Sequence, residues 1–169
     1  MNSIELFFPP FYEKYIKNAS RHQDIVEGLS QQEEELVTFF KQIPKDKIEF
    51  RYAPDKWTPK DILHHLTDTE RIFSYRSLRV ARNDKTALPG FEENDFVQFA
   101  NANDRSMESL LKEFQTVRKA TISLFENFKE EQLNRRGEVS GNQMSVGAMG
   151  YVILGHETHH ISIIKERYL

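Results

Sequence analysis

Apolar positions recur every three or four residues in four separate stretches of the chain, the spacing of one-sided helices. From about Asp24 to Gln42 the stripe is Ile25, Leu29, Leu36, Phe40 and Ile43, and Pro44 stops it. The second stretch carries Ile62, Leu66, Phe73 and Val80 and ends near Asn83. Its start has three signals: Thr58 as N-cap, Pro59 at the first helical position, and Asp61 where a capping box places its acid. The third begins at Asn103 or Asp104 and bears Met107, Leu110, Leu111, Phe114, Val117, Leu124, Phe125 and Phe128. The fourth follows an N-cap at Ser145 and runs through Val146, Met149, Ile153, Ile161 and Ile164 to the C-terminus. No segment reads as a strand. Four amphipathic helices predict an all-α protein, a four-helix bundle. Its long connections, 84–103 with Pro89-Gly90, Phe91, Phe96 and Phe99, and 129–143, are expected to wall a site.

The 169 residues suit one domain over 1–169, with the core bundle at about 24–169 and an N-terminal arm, 1–23. The aromatic stretch Phe7 to Tyr15 of that arm predicts irregular or short helical packing. Lys and Arg number 23 against 26 Asp and Glu, a net charge of −3, which argues against a nucleic-acid partner. The longest uncharged run, Val139 to His156, is broken by Ser140, Asn142, Gln143 and four glycines, and its densely apolar part falls short of a membrane span. Met1 to Pro10 lacks the basic and apolar regions of a signal peptide, so a soluble, cytoplasmic protein with no membrane partner is expected. The absence of cysteine excludes disulfides, thiolate-bound zinc, iron–sulfur clusters and a cysteine nucleophile.

Five of the six histidines fall in two clusters, His64-His65 and His156, His159, His160. His156 and His160 are four apart and share one helix face, the usual way for a helix to offer two imidazoles to one metal. At about 100° per residue from Ile153, both lie within the buried stripe, and His159 lies on the flank. The same construction from Ile62 puts His65 at the edge of the buried stripe and His64 on the solvent side. A lone inward histidine usually just finds a hydrogen-bond partner. Three of them on two facing helices point to a shared metal, because burying three imidazoles without a partner is costly.

His156-Glu157-Thr158-His159-His160 also reads as H-E-x-x-H, the zinc-protease pattern with Glu157 as base. Only nine residues follow His160, too few for a downstream ligand, and His65 supplies one instead. Glu157 is either a surface residue or a carboxylate behind the ligands that accepts a proton. Three histidines without a fourth protein ligand leave an open, Lewis-acidic position, the pattern of catalytic rather than structural sites. Asp68, one turn after His65, is placed to orient an imidazole or to be solvated. Arg76 is placed to bind an anionic substrate group or to belong to a solvated face with Arg79 and Arg82. Trp57 and Tyr52 are expected to cap the bundle end, and His22 to lie at the surface.

Trp57-Thr58-Pro59-Lys60 followed by His65 and Asp68, and the terminal Gly155-His156-Glu157-Thr158-His159-His160, together resemble the two motifs of the DinB/YfiT-like superfamily. The resemblance covers about residues 24 to 169. It implies an up-down-down-up four-helix bundle, often a homodimer. It also implies a divalent metal, most simply Zn or Ni, one per chain, held by His65, His156 and His160, the same three that the helix faces select. Members with an assigned activity are mostly transferases that use a low-molecular-weight thiol such as bacillithiol or mycothiol, and others are described as metal-dependent hydrolases.

Three functions follow in order. The first is a transferase on a small-molecule substrate, with an exogenous thiol activated at the metal. The second is a hydrolase in which water is the nucleophile. The third is a binding module that the metal merely stabilises.

Overall fold

The computed structural model describes residues 4–169, so Met1 to Ser3 of the expected arm lie outside the described residues. A 3₁₀ turn at Pro10–Tyr12 leads into a short helix, α1 (Glu13–Asn18). Then come α2 (Ile25–Gln42), α3 (Pro59–Ala81), α4 (Glu93–Ala100), α5 (Met107–Glu126), α6 (Glu130–Leu133) and α7 (Val146–Arg167). The expected bundle helices are α2, α3, α5 and α7. The start signals act as the sequence indicates: Thr58 accepts from the Asp61 amide and Asp61 from the Thr58 amide, and Asp24 and Ser145 cap α2 and α7. Helix α5 starts later than expected, capped by Ser106, because Asn101 takes a left-handed conformation and a 3₁₀ turn follows it.

Side-chain pairings give the helix directions. Along α2, Ile25 lies at Gly150 and Gln32 reaches Leu154 and Thr158, so α2 and α7 run parallel. Arg118 meets the Leu29 carbonyl and Gln115 meets Glu33, so α2 and α5 are antiparallel. Glu70 meets Arg118 and Ser74 meets Thr121, so α3 and α5 are parallel. His65 meets His156 and Ser77 meets Met149, so α3 and α7 are antiparallel. The order is up-down-down-up, as the resemblance implied. The long connection 43–58 carries the chain between α2 and α3, which sit diagonally.

The core has two apolar halves. One gathers Ile25, Leu29, Phe73, Phe125, Met149 and Ile153, and the other Leu36, Phe40, Leu63, Leu66, Phe114 and Ile164. Between them runs a belt of buried polar side chains: Gln32, His65, Glu70, Arg118, His156, Glu157 and His160. Burying polar groups is costly unless they are partnered, so a whole polar layer marks the place where the fold trades packing for chemistry.

Two features depart from the expected all-helical reading. Arg136–Val139 and Asn142–Ser145 form an antiparallel hairpin inside the 129–143 connection. Its turn, Ser140-Gly141, has both residues at positive φ (51° and 75°), the geometry that suits a two-residue hairpin loop. Four-residue strands without a β-branched run carry too little pattern to be read from sequence. Leu88 pairs with this hairpin, its amide donating to Glu138 and its carbonyl accepting from Ser140, which fixes the Pro89-Gly90 segment. The 84–103 connection also contains α4, too short to show a helical stripe.

The arm is part of the structure. The Ser145 amide donates to the Phe7 carbonyl, and Leu6 and Phe8 pack on the first core half. Helix α1 lies along α7 at Gly155, where a β-carbon would come within 1.7 Å of the Tyr15 carbonyl oxygen, so only glycine permits the approach. Among the described residues no helix is long and apolar enough to cross a membrane.

Candidate metal centre

The antiparallel packing of α3 against α7 brings together the two histidine clusters. His65 Nε2 lies 3.0 Å from His156 Nε2, and His160 Nε2 lies 3.0 Å from the same atom. All three residues are buried, and their ligand atoms fall within 4.8 Å of one another. Three ring nitrogens facing one point cannot satisfy each other as hydrogen-bond partners, because each neutral imidazole nitrogen offers either one proton or one lone pair. A divalent cation accepts all three lone pairs, so the donor set fits a metal ion. Zn, Ni, Cu and Fe all suit imidazole, and the donors alone do not choose among them.

The rings are held in the form that binds metal. Burial pushes His65 down to about 4, against a smaller opposing pull from Asp68. His156 and His160 lie well below the ordinary histidine range, through burial first and through the neighbouring imidazoles second. Neutral rings with free lone pairs result.

The surrounding side chains lock the rings. Trp57 does more than cap the bundle end: its ring lies near-parallel to His160 at 6.1 Å and 4.7 Å from His65. Tyr15 on α1 meets His156 edge-on at 5.3 Å, the contact that Gly155 makes possible. Glu93, the first residue of α4, places Oε2 3.9 Å from His65 Nε2.

The other residues singled out by sequence take different places. His64 stays out of the cluster, as its helix face required. Asp68 does not orient a ligand ring: it faces His64 Nδ1 at 3.3 Å and Arg71 at 3.2 Å. Glu157 is fully buried, not at the surface, with Oε2 accepting from Arg118 at 2.6 Å. Arg118 also donates to both oxygens of Glu70. Two carboxylates thus share one guanidinium, and burial pushes Glu157 up to about 7 against the pull of Arg118. Glu157 does not line the open cleft beside His156. Arg76 does line it, and is buried. His22 is also buried, contrary to expectation, and packs against Gly28 at the α1–α2 turn.

Sequence reading missed Arg118 and Glu93. Arg118 had a signal: it falls on the apolar stripe of α5 between Phe114 and Phe125, where a charge must find a buried partner. Glu93 had none, because its approach to His65, far away along the chain, leaves no trace in local periodicity.

Two clefts flank α4. The larger, about 660 Å³, lies on the Trp57 side and touches none of the three histidines. The smaller, about 440 Å³, is bounded by His156 and Glu93 and walled by Phe11, Tyr12, Phe73 and Phe91. Contact with a ligand histidine makes the smaller cleft the approach to the centre.

A four-helix bundle with a buried set of three histidines that could hold a metal ion is the class of protein that the fold and site define. Residues 29–164 match the family model of the DinB superfamily, and the chain belongs to that family. No curated protein matches the chain. Among solved structures it is similar to YfiT from Bacillus subtilis, described as a probable metal-dependent hydrolase with an unusual four-helix bundle topology. The two share 15% identity over 95% of this chain and 87% of that one, with a TM-score of 0.69. At that identity the likeness shows the fold.

Proposed function

We propose that the protein is a metal-dependent hydrolase of small molecules, with His65, His156 and His160 holding one divalent ion, Zn or Ni, per chain. The observation that carries this reading is the Glu93 carboxylate, 3.9 Å from His65 Nε2 at the mouth of the cleft beside His156. A divalent ion on three imidazoles supplies Lewis acidity and makes water a nucleophile near neutral pH. Glu93 Oε2 takes the proton of the attacking water and returns it to the leaving group. Burial, and secondly Glu92, raise Glu93 above the ordinary carboxylate range, toward the pKa a base needs at neutral pH. The aromatic walls hold the apolar part of the substrate.

The hydrolase description of YfiT and the carboxylate at the ligands favour water over an exogenous thiol, so the hydrolase moves ahead of the thiol transferase expected from sequence. A cytoplasmic homodimer belongs to the same reading, with exposed Phe11, Phe96 and Phe99 as apolar surface that a second copy would cover. Sedimentation decides the oligomeric state.

The deciding experiment is hydrolysis of chromogenic esters and amides by zinc- and nickel-loaded protein and by Glu93→Gln. The variant is expected to keep its metal and lose about 10²–10⁴-fold in kcat. Turnover that requires an added low-molecular-weight thiol and survives Glu93→Gln would return the reading to a transferase.

A further inference from the structure

Among the described residues three cationic side chains are buried: Lys60, Arg76 and Arg118. Lys60 pairs with Glu49 at 2.6 Å, and Arg118 pairs with Glu70 and Glu157. Arg76 differs: among the described residues no carboxylate lies within 4 Å of its guanidinium, although the residue is only 3% exposed. One of its nitrogens donates to the Pro89 carbonyl at 2.6 Å and to Ser140 Oγ at 3.1 Å. Its guanidinium carbon lies 5.2 Å from the Phe73 ring and 5.8 Å from Phe91. Burial lowers Arg76 from its ordinary value, against a smaller opposing pull from the Tyr12 hydroxyl. A desolvated cation without an anion is costly, and an anionic ligand would offset that cost.

A second observation points to the same place. Thr69 Oγ1 is buried without a hydrogen-bond partner, and Thr69 lines the same cleft as Arg76 and His156. The cleft is thus bordered by Arg76 and Thr69 between aromatic walls, with His156 at its edge.

We propose that Arg76 and Thr69 anchor a carboxylate of the substrate, which is a monoanion with an apolar, aromatic-sized body. The assignment rests on the hydrolase reading for where the reacting bond lies. A single charge fits better than a phosphate dianion, because among the described residues Arg76 is the one cationic side chain lining the cleft and Glu93 lines it too. The guanidinium fork matches a carboxylate in shape as well as charge. Pro89 and Ser140 hold the fork from behind, and the pairing of Leu88 with the hairpin holds both of them.

The test is binding, by calorimetry on zinc-loaded protein. The probes are phenylacetate and 4-phenylbutyrate, each against its primary amide, and phenyl phosphate. At least one carboxylate is expected to bind tenfold or more tighter than its amide. Arg76→Gln should bring the pair to near parity, and Arg76→Lys should keep part of the preference. The Arg76 Nε–Hε resonance of the wild type should shift with the carboxylate and not with the amide, a readout that does not depend on any variant folding. Equal binding of acid and amide, or a preference that survives Arg76→Gln because the carboxylate sits on the zinc, overturns the assignment. Phenyl phosphate binding tighter than both carboxylates overturns the single charge. Ester turnover without carboxylate preference would sink this inference and leave the hydrolase standing. Preference without turnover would do the reverse.

Discussion

Arg118 donates to Glu157 across 2.6 Å, one residue along α7 from His156 of the three-histidine cluster. The pair ties α7 to α5, and through Glu70 to α3, inside the polar belt. Removing the guanidinium would leave two carboxylates buried without a cation. Arg118→Ala is therefore expected to cost about 3–5 kcal/mol. Glu157→Gln keeps a hydrogen-bond acceptor and relieves the surplus negative charge, so it should change stability by less than about 1 kcal/mol. Urea denaturation of both variants checks the contrast, and equal losses would show that the pair is not asymmetric in this way.

Gly155 sets the distance between α1 and α7. A methyl group there would sit 1.7 Å from the Tyr15 carbonyl oxygen, which is backbone and cannot rotate aside. Gly155→Ala should push α1 off its seat, cost about 1–3 kcal/mol or more, and release Tyr15 from His156. Thermal melts and zinc affinity should both fall. A variant with wild-type melting and affinity would mean that the α1 contact is dispensable.

Metal removal should expose the cost of the histidine cluster. In metal-free protein, folding depresses His65 to about 4, and His156 and His160 well below the ordinary value near 6.5, all chiefly by burial. The unfolded chain then binds more protons than the folded one below about pH 6.5, so stability falls as pH drops from there toward 4. Zinc-loaded protein should melt higher at pH 7 and give up its metal over the same acid range as protons compete for the rings. Trp57, the single tryptophan, lies against His65 and His160, so its emission should change on zinc addition. His160→Ala should abolish that response, and elemental analysis should find its metal lost from the expected one equivalent per chain.

The sequence by itself determined what is local. Helix starts at Thr58 and Ser145 follow from capping chemistry within a few residues, and the apolar stripes follow from a period of 3.6, so α2, α3 and α7 were legible to within a residue or two. The same period separated His65 from His64 and picked out His156 and His160, because which face a side chain takes is fixed by its position on a helix. Tertiary structure decided what depends on approach between distant segments. Glu93 reaches the histidines only because α4 folds back over α3, and Asp68 turns to His64 because that ring is nearer than any ligand. Glu157 is claimed by Arg118 from another helix, which moves it from candidate base to buried ion pair. The hairpin at Arg136–Ser145 is too short to carry a pattern, yet through Leu88 it sets Pro89 and Ser140 behind Arg76. Periodicity reports the direction of a side chain, and only the packing of one segment on another reports what it meets there.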